Sequence, residues 1–246
     1  MRLNQFIAQA GLCSRRGADA LIKEKRVKVN GKVISQPWLN IGDKDSVEVD
    51  GQSIFLEGKI YIIFNKPKGV TTTLKDRFAN KKIIDFIPKK FERVYPVGRL
   101  DKESRGLIIL TNDGDLCYKL THPKFAVEKE YILWIKGEVD RIILDKLRRG
   151  IKDGRDLLKV KSASIEKVSV GKTKLKVCVQ EGKKRHLRRL CRKLGFSVLD
   201  LQRVRIGDLR LSNLQEGNYR FIKKEIIYNM ALPKRLRYRP QGGQEQ

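Results

Sequence analysis

In the stretch GRLDKESRGL (residues 98–107) a single aspartate, Asp101, stands between Arg99 and Lys102 with a glycine at each end. Such an acid either balances its basic neighbours or is held ionised by them for chemistry, as a nucleophile or a proton acceptor. Balance is a weak explanation here. The chain carries 55 Lys and Arg against 28 Asp and Glu, a formal charge of +27, and makes no evident attempt at neutrality.

A second group lies in RHLRRLCRKLG (185–195). On a helical wheel Leu187, Leu190, Cys191 and Leu194 share one face, while Arg185, Arg189 and Arg192 lie opposite, free to meet phosphates. Arg188 falls at the boundary, where an arginine can lean toward the core side and pair with a carboxylate in a sheltered site. His122 and His186 are tempting bases, but both are read as structural or partner-facing. The four cysteines form no CxxC pair and, with only two histidines, give no zinc spacing. They read as small apolar residues in a reducing cytoplasm.

The elements that must position these residues follow from periodicity. Leu3, Phe6, Ile7 and Ala10 recur with the helical period, and Ser14 is placed to cap a second helix that turns Ala18, Leu21 and Ile22 inward. Asn30-Gly31 and Asp50-Gly51, each between alternating residues, signal tight hairpins. From Lys59 the texture changes. KIYIIFNKPKGV, GLIILTNDGD, KEYILWIKG and KLKVCVQEG read as strands, with RIILDKLRRG helical between the last two. This order suggests an α+β domain around one curved sheet. The boundaries expected are 1–58, 59–232 and a basic, flexible tail at 233–246.

A charge of +27 with 7% aromatics points to a polyanionic partner. No apolar run is long enough to span a bilayer and no signal-peptide pattern is read, so nucleic acid is favoured over a membrane surface.

The first segment resembles the alpha-L RNA-binding domain, the fold of the small-subunit ribosomal protein four class. The resemblance puts its RNA-facing charge on Arg15, Arg16, Lys23, Lys25, Arg26, Lys28 and Lys32. Such a surface offers shape and phosphate contacts to folded RNA. NKPKG (65–69), YPVGRLDKESRGLIILTNDGD (95–115), THP (121–123) with EKEY (128–131), EGKKRHLRRLCRKLG (181–195) and LQRVRIGDL (201–209) follow in order. Together with the first segment they resemble the pseudouridine synthases of the RsuA/RluB/RluF type, over residues 1 to about 228.

The resemblance implies a small alpha-L domain followed by a catalytic domain on a curved, mainly antiparallel sheet. It implies that uracil is detached from C1′ at N1, turned, and rejoined through C5. Nothing is hydrolysed or oxidised, so no cofactor or metal is expected. By resemblance Asp101 is the catalytic carboxylate, Arg188 its ionic partner, and Arg99 an aid to displacing the base from the RNA stack. Tyr131 would stack on the flipped uracil and Leu201 would line the pocket's other side. Lys183, Lys184, Arg185, Arg189 and Arg192 would face the RNA. Ser104 and the pair Lys184 and His186 depart from the commoner family residues (threonine, asparagine and glutamine). The expected partner is ribosomal RNA or a pre-ribosomal particle in the cytoplasm, with the chain a monomer and the large subunit favoured as target.

Two rival readings remain open at this stage. A glycosidase would need a second carboxylate about 5–10 Å from the first, and no spacing places Glu103 in that role. A non-enzymatic RNA-binding or assembly factor would need only the charge and the alpha-L domain.

Overall fold

The computed structural model describes residues 1–74, 76–91 and 93–237. The chain divides into two units, Met1–Lys59 and Ile60–Gln246. That division lies one residue beyond the boundary expected from the sequence.

In the first unit, helices α1 (Leu3–Gln9) and α2 (Arg15–Lys23) precede four short strands: β1 (Val27–Val29), β2 (Lys32–Val33), β3 (Val47–Val49) and β4 (Gln52–Ser53). The strands pair in the order β2-β1-β3-β4. Ser14 caps α2 as expected, its Oγ accepting the Gly17 amide at 3.1 Å. Both hairpin turns take left-handed backbone, with φ of 51° and 77° at Asn30-Gly31 and 52° and 79° at Asp50-Gly51. Leu3, Ile7, Ala18, Ile22, Val27, Val47 and Val49 close the core, which leaves the charged residues outside.

The second unit is built on a nine-stranded sheet. Its strands are β5 (Tyr61–Lys66), β6 (Tyr95–Pro96), β7 (Arg105–Thr111), β8 (Lys129–Lys136), β11 (Ser162–Ser169), β12 (Lys172–Val179), β13 (Val198–Ile206), β14 (Leu209–Arg210) and β15 (Tyr219–Phe221). The order is β11-β12-β8-β13-β7-β5-β15, with β14 beside β13 and β6 beside β7. Every pairing is antiparallel except β13 with β7. A small separate hairpin is formed by β9 (Ile151–Asp153) and β10 (Asp156–Leu158), and helices α3 (Gly114–Thr121), α4 (Arg141–Arg149), α5 (His186–Lys193) and α6 (Lys224–Ala231) complete the unit.

Alternation along β5 and β7 explains why both read as continuous apolar runs. Tyr61, Ile63, Leu107 and Ile109 face one core, shared with α3 and α6. Ile62, Phe64, Ile108 and Leu110 face another, closed by Val70, Ile83, Ile87 and Val94. The strands β8 and β12 turn one face to the core. Leu133, Ile135, Leu175, Val177 and Val179 pack with Leu144 and Leu147 of α4 and with Leu187, Leu190 and Cys191 of α5. Residues 234–236 form a single 3-10 turn. The rest of the expected tail, from 238 onward, lies outside the described residues.

Candidate active site

Asp101 sits in the loop between β6 and β7, and three contacts from the NKPKG side fix that loop. Lys66 ends β5 wholly buried, and its ammonium donates to the carbonyls of Pro67 at 2.8 Å and Val70 at 2.7 Å, with the Lys102 carbonyl at 3.4 Å. The Gly69 amide donates to the same Lys102 carbonyl at 2.8 Å. Thr72 is also buried. Its hydroxyl donates to the Leu100 carbonyl at 2.7 Å and accepts from the Leu100 amide at 3.3 Å. The Ser104 amide then closes a turn onto the Asp101 carbonyl at 3.0 Å.

The far end of the loop is tied to β13. Arg105 grips Asp200 through Nε and Nη2 at 2.9–3.1 Å, and reaches Glu216 at 2.5 Å. Gly106 has φ of +106°, and a side chain there would collide with the Arg203 backbone. Only glycine lets β7 approach β13 this closely.

A pocket of about 340 Å³ opens over Asp101. Arg99, Leu100, Asp101 and Ser104 form one wall, Tyr131 and Leu201 another, and Val179 with Glu181–Leu187 the third. The structure thus brings together Arg99, Asp101, Tyr131, Leu201, Lys183, Lys184 and Arg185. It does not place Arg188, Arg189 or Arg192 on the lining. The Asp101 side chain is half-buried and, among the described residues, makes no hydrogen bond or ion pair. Its carboxylate therefore stands open to a ligand in the pocket.

The expected ion pair between Arg188 and Asp101 is absent. Arg188 donates instead to the carbonyls of Glu103 at 2.8 Å and Val198 at 3.2 Å, and lies 3.5 Å from the Ser104 hydroxyl. The expected boundary position is real, because the residue is half-buried. The backbone carbonyls of Glu103 and Val198 take its two Nη groups in place of a carboxylate. Burial, then the like charge of Arg185, hold its pKa below the ordinary value, while Asp101 and Glu103 pull the other way. Arg188 thus fastens the loop that carries Asp101 and acts on that carboxylate through the field only.

Two more arginines are less available to RNA than their spacing implied. Arg189 is bound to Asp153 at 2.6 Å and Asp156 at 2.9 Å, so that the β9–β10 hairpin neutralises it. Arg26 makes a two-pronged bond to Asp50 at 2.8 and 2.6 Å. Lys183 pairs with Glu181 at 2.8 Å and donates to the Leu157 carbonyl at the same distance. Arg15, Arg16, Lys23, Lys25, Lys28, Lys32, Lys184, Arg185 and Arg192 are exposed. His186 is buried with Nε2 at 3.0 Å from the Lys159 carbonyl, and burial lowers its pKa. His122 is exposed, and its Nδ1 accepts the Lys124 amide at 3.2 Å.

Arg203 is a site residue that motif reading did not single out. It is 2% exposed, donates from Nε to the Leu107 carbonyl at 2.7 Å, and holds Nη1 3.5 Å from the Tyr131 hydroxyl. Tyr131 and Arg203 are register partners on β8 and β13. The signal was available: Arg203 follows Leu201 by two residues on a strand and so shares its inward face.

Residues 60–193 match the RNA pseudouridylate synthase family and residues 1–47 match the S4 domain. The chain is 37% identical over 222 residues to the ribosomal large subunit pseudouridine synthase B of Bacillus subtilis, covering 89% of this chain and 91% of that one. It is 36% identical over 237 residues to the dual-specificity RNA pseudouridine synthase RluF of Shigella flexneri, covering 94% and 78%. A solved pseudouridylate synthase superposes with a TM-score of 0.64 at 28% identity, over 92% of this chain and 98% of the other.

Proposed function

This chain belongs to the RNA pseudouridylate synthase family, and we propose that it isomerises a specific uridine of large-subunit ribosomal RNA, with Asp101 as the catalytic carboxylate. The observation that carries this reading is the convergence of Asp101, Tyr131, Leu201 and Arg99 on one pocket. A pocket of about 340 Å³ is of the size that takes a small ligand or a single extruded nucleotide.

The geometry supports a definite sequence of events. The target base leaves the RNA stack at a cost of a few kcal/mol, which pocket contacts offset. Arg99, exposed at the rim, is placed to take up the space or charge vacated. Tyr131 offers an aromatic face worth about 1–3 kcal/mol per stacked base, and tolerates a base that rotates. Leu201 closes the apolar side. The Asp101 carboxylate, without a partner among the described residues, then lies beside C1′. There it either adds to the sugar or removes a neighbouring proton as the bond to N1 breaks. The base turns, C5 bonds to C1′ as any bond from Asp101 to the sugar breaks, and the proton lost from C5 is balanced by one taken up at N1. Oxidation state is unchanged throughout, so the residues of this chain suffice.

Ribosomal RNA as substrate draws on the named relatives and on the S4 domain, whose exposed Arg15, Arg16, Lys23, Lys25, Lys28 and Lys32 suit phosphates. The large-subunit preference draws on the Bacillus subtilis relative. No helix among the described residues is long and apolar enough to cross a membrane. We place the protein in the cytoplasm, acting as a monomer on ribosomal RNA or an assembling particle.

Pseudouridine mapping across ribosomal RNA with and without the protein tests the reading. One missing large-subunit site is expected. An unchanged map, with RNA binding intact, would leave an assembly factor as the better description.

A further inference from the structure

The sheet face opposite the pocket carries its own chemistry. Along β12, Thr173, Leu175 and Val177 are buried in the core, so Lys172, Lys174 and Lys176 project from the other side. Register places Lys136 and Trp134 of β8 opposite Lys172 and Lys174, and Lys167 of β11 opposite Lys174 on the other flank. Lys136, Lys167, Lys172 and Lys176 are exposed, and Lys174 and Trp134 are half-buried. Trp134 belongs to none of the apolar clusters that fill the molecule.

The charges on this face are not arranged for the protein's own stability. Lys136 faces Lys172 and Lys167 faces Lys174, and like charges directly across a strand pair are destabilising. The carboxylates of the face are engaged: Glu166 by Lys176 at 3.0 Å, Asp200 by Arg105, and Glu130 by Arg205 at 3.2 Å. The Lys172 ammonium sits 5.2 Å from the Trp134 ring centre, a cation–π contact. Lysines at every second position are about 6.6–6.8 Å apart along the strand. An extended row of cations flanking an aromatic ring is the arrangement that tracks a nucleic-acid backbone and stacks an unpaired base.

We propose that this face, centred on Lys136, Lys172, Lys174 and Trp134, binds the phosphate backbone of a ribosomal RNA segment distant from the target uridine. The proposal rests on the ribosomal RNA reading above and adds a second contact surface to it. None of these residues lines the catalytic pocket. The RNA must therefore be engaged on both faces of the sheet, and β11 is the sheet's outermost strand on this side.

The test compares the full chain with the triple variant Lys136→Gln, Lys172→Gln, Lys174→Gln and with a control of equal charge loss, Arg141→Gln, Lys146→Gln, Arg149→Gln. The control residues are exposed on α4, whose buried Leu144 and Leu147 pack on the opposite face. Binding to a large-subunit ribosomal RNA transcript is followed from about 0.05 to 0.2 M salt. The first variant should bind at least about tenfold more weakly, and its log–log salt dependence should be shallower by about two. Its turnover at saturating RNA should be unchanged, and its thermal midpoint no lower, because two like-charge pairs are relieved. Unchanged affinity and slope, or a loss equalled by the control, would overturn the proposal. Tight binding to an acidic protein or polyglutamate that falls as far as RNA binding would also overturn it, in favour of a protein partner. Binding is read without turnover. Failure of the isomerisation reading, with no pseudouridine formed by any protein tested, therefore remains separate from the fate of this face.

Discussion

The hydroxyl of Thr72 holds both backbone groups of Leu100, donating to its carbonyl at 2.7 Å and accepting from its amide at 3.3 Å across 28 residues of sequence. The residue before Asp101 is thereby fixed to the loop that follows β5. Thr72→Val keeps the shape and deletes both bonds, leaving a buried amide and carbonyl unsatisfied. A loss of about 1–3 kcal/mol in stability is expected. Because the carboxylate is what loses its position, kcat should fall more than KM rises. Equal activity with lowered stability would show that the clamp is not needed for positioning.

Arg203 connects Tyr131 to β7, the strand that follows the Asp101 loop. Arg203→Lys keeps the charge but has no planar fork with which to span the Leu107 carbonyl and the Tyr131 hydroxyl. Turnover should drop while RNA affinity holds, and Tyr131→Phe should lose less than Arg203→Lys does. If Arg203→Lys is as active as the parent, Tyr131 is oriented by packing alone.

Burial pushes the Lys66 ammonium down to about 8, against the attraction of Glu103 and Asp101. Burial and the nearby Arg203 likewise bring Lys129 to about 8. A lysine in the unfolded chain titrates near ~10.4. Below pH 8 both states are charged, and the folded state bears the full cost of the buried ammonium. Between about pH 8 and 10 the unfolded state binds more protons, so unfolding free energy should rise with pH. The gain for fully buried Lys66 is at most roughly 3 kcal/mol. Denaturant midpoints from about pH 7.5 to 9.5 should climb, and less steeply in Lys66→Met. A flat profile would mean that the three carbonyls around Lys66 keep it charged.

The pocket residues were legible because their motifs stand at loop or strand positions that the chain itself marks. Asp101 precedes an apolar strand, Tyr131 and Leu201 lie on alternating strands, and all three reach one pocket. The residues that hold them were not legible. Thr72 stands in a run of three threonines, and Lys66 and Arg203 looked like two more charges in a chain rich in them. Their burial depends on where β5 and β13 lie in the sheet, and the parallel β13–β7 pairing has no local signature. The same gap explains Arg188, Arg189 and Arg26. A helical wheel shows which side an arginine faces. It does not show whether a carbonyl or a distant carboxylate, such as Asp153 or Asp50, is waiting there.

The most direct test of the whole scheme is Asp101→Asn, assayed for pseudouridine formation and RNA binding in parallel. The substitution keeps size and removes one charge from a side chain that makes no hydrogen bond or ion pair among the described residues. Pseudouridine should be undetectable, with RNA affinity within about twofold of the parent, since one charge among many contacts changes binding little. Pseudouridine formed at the parent rate by the Asp101→Asn protein would contradict the catalytic assignment outright.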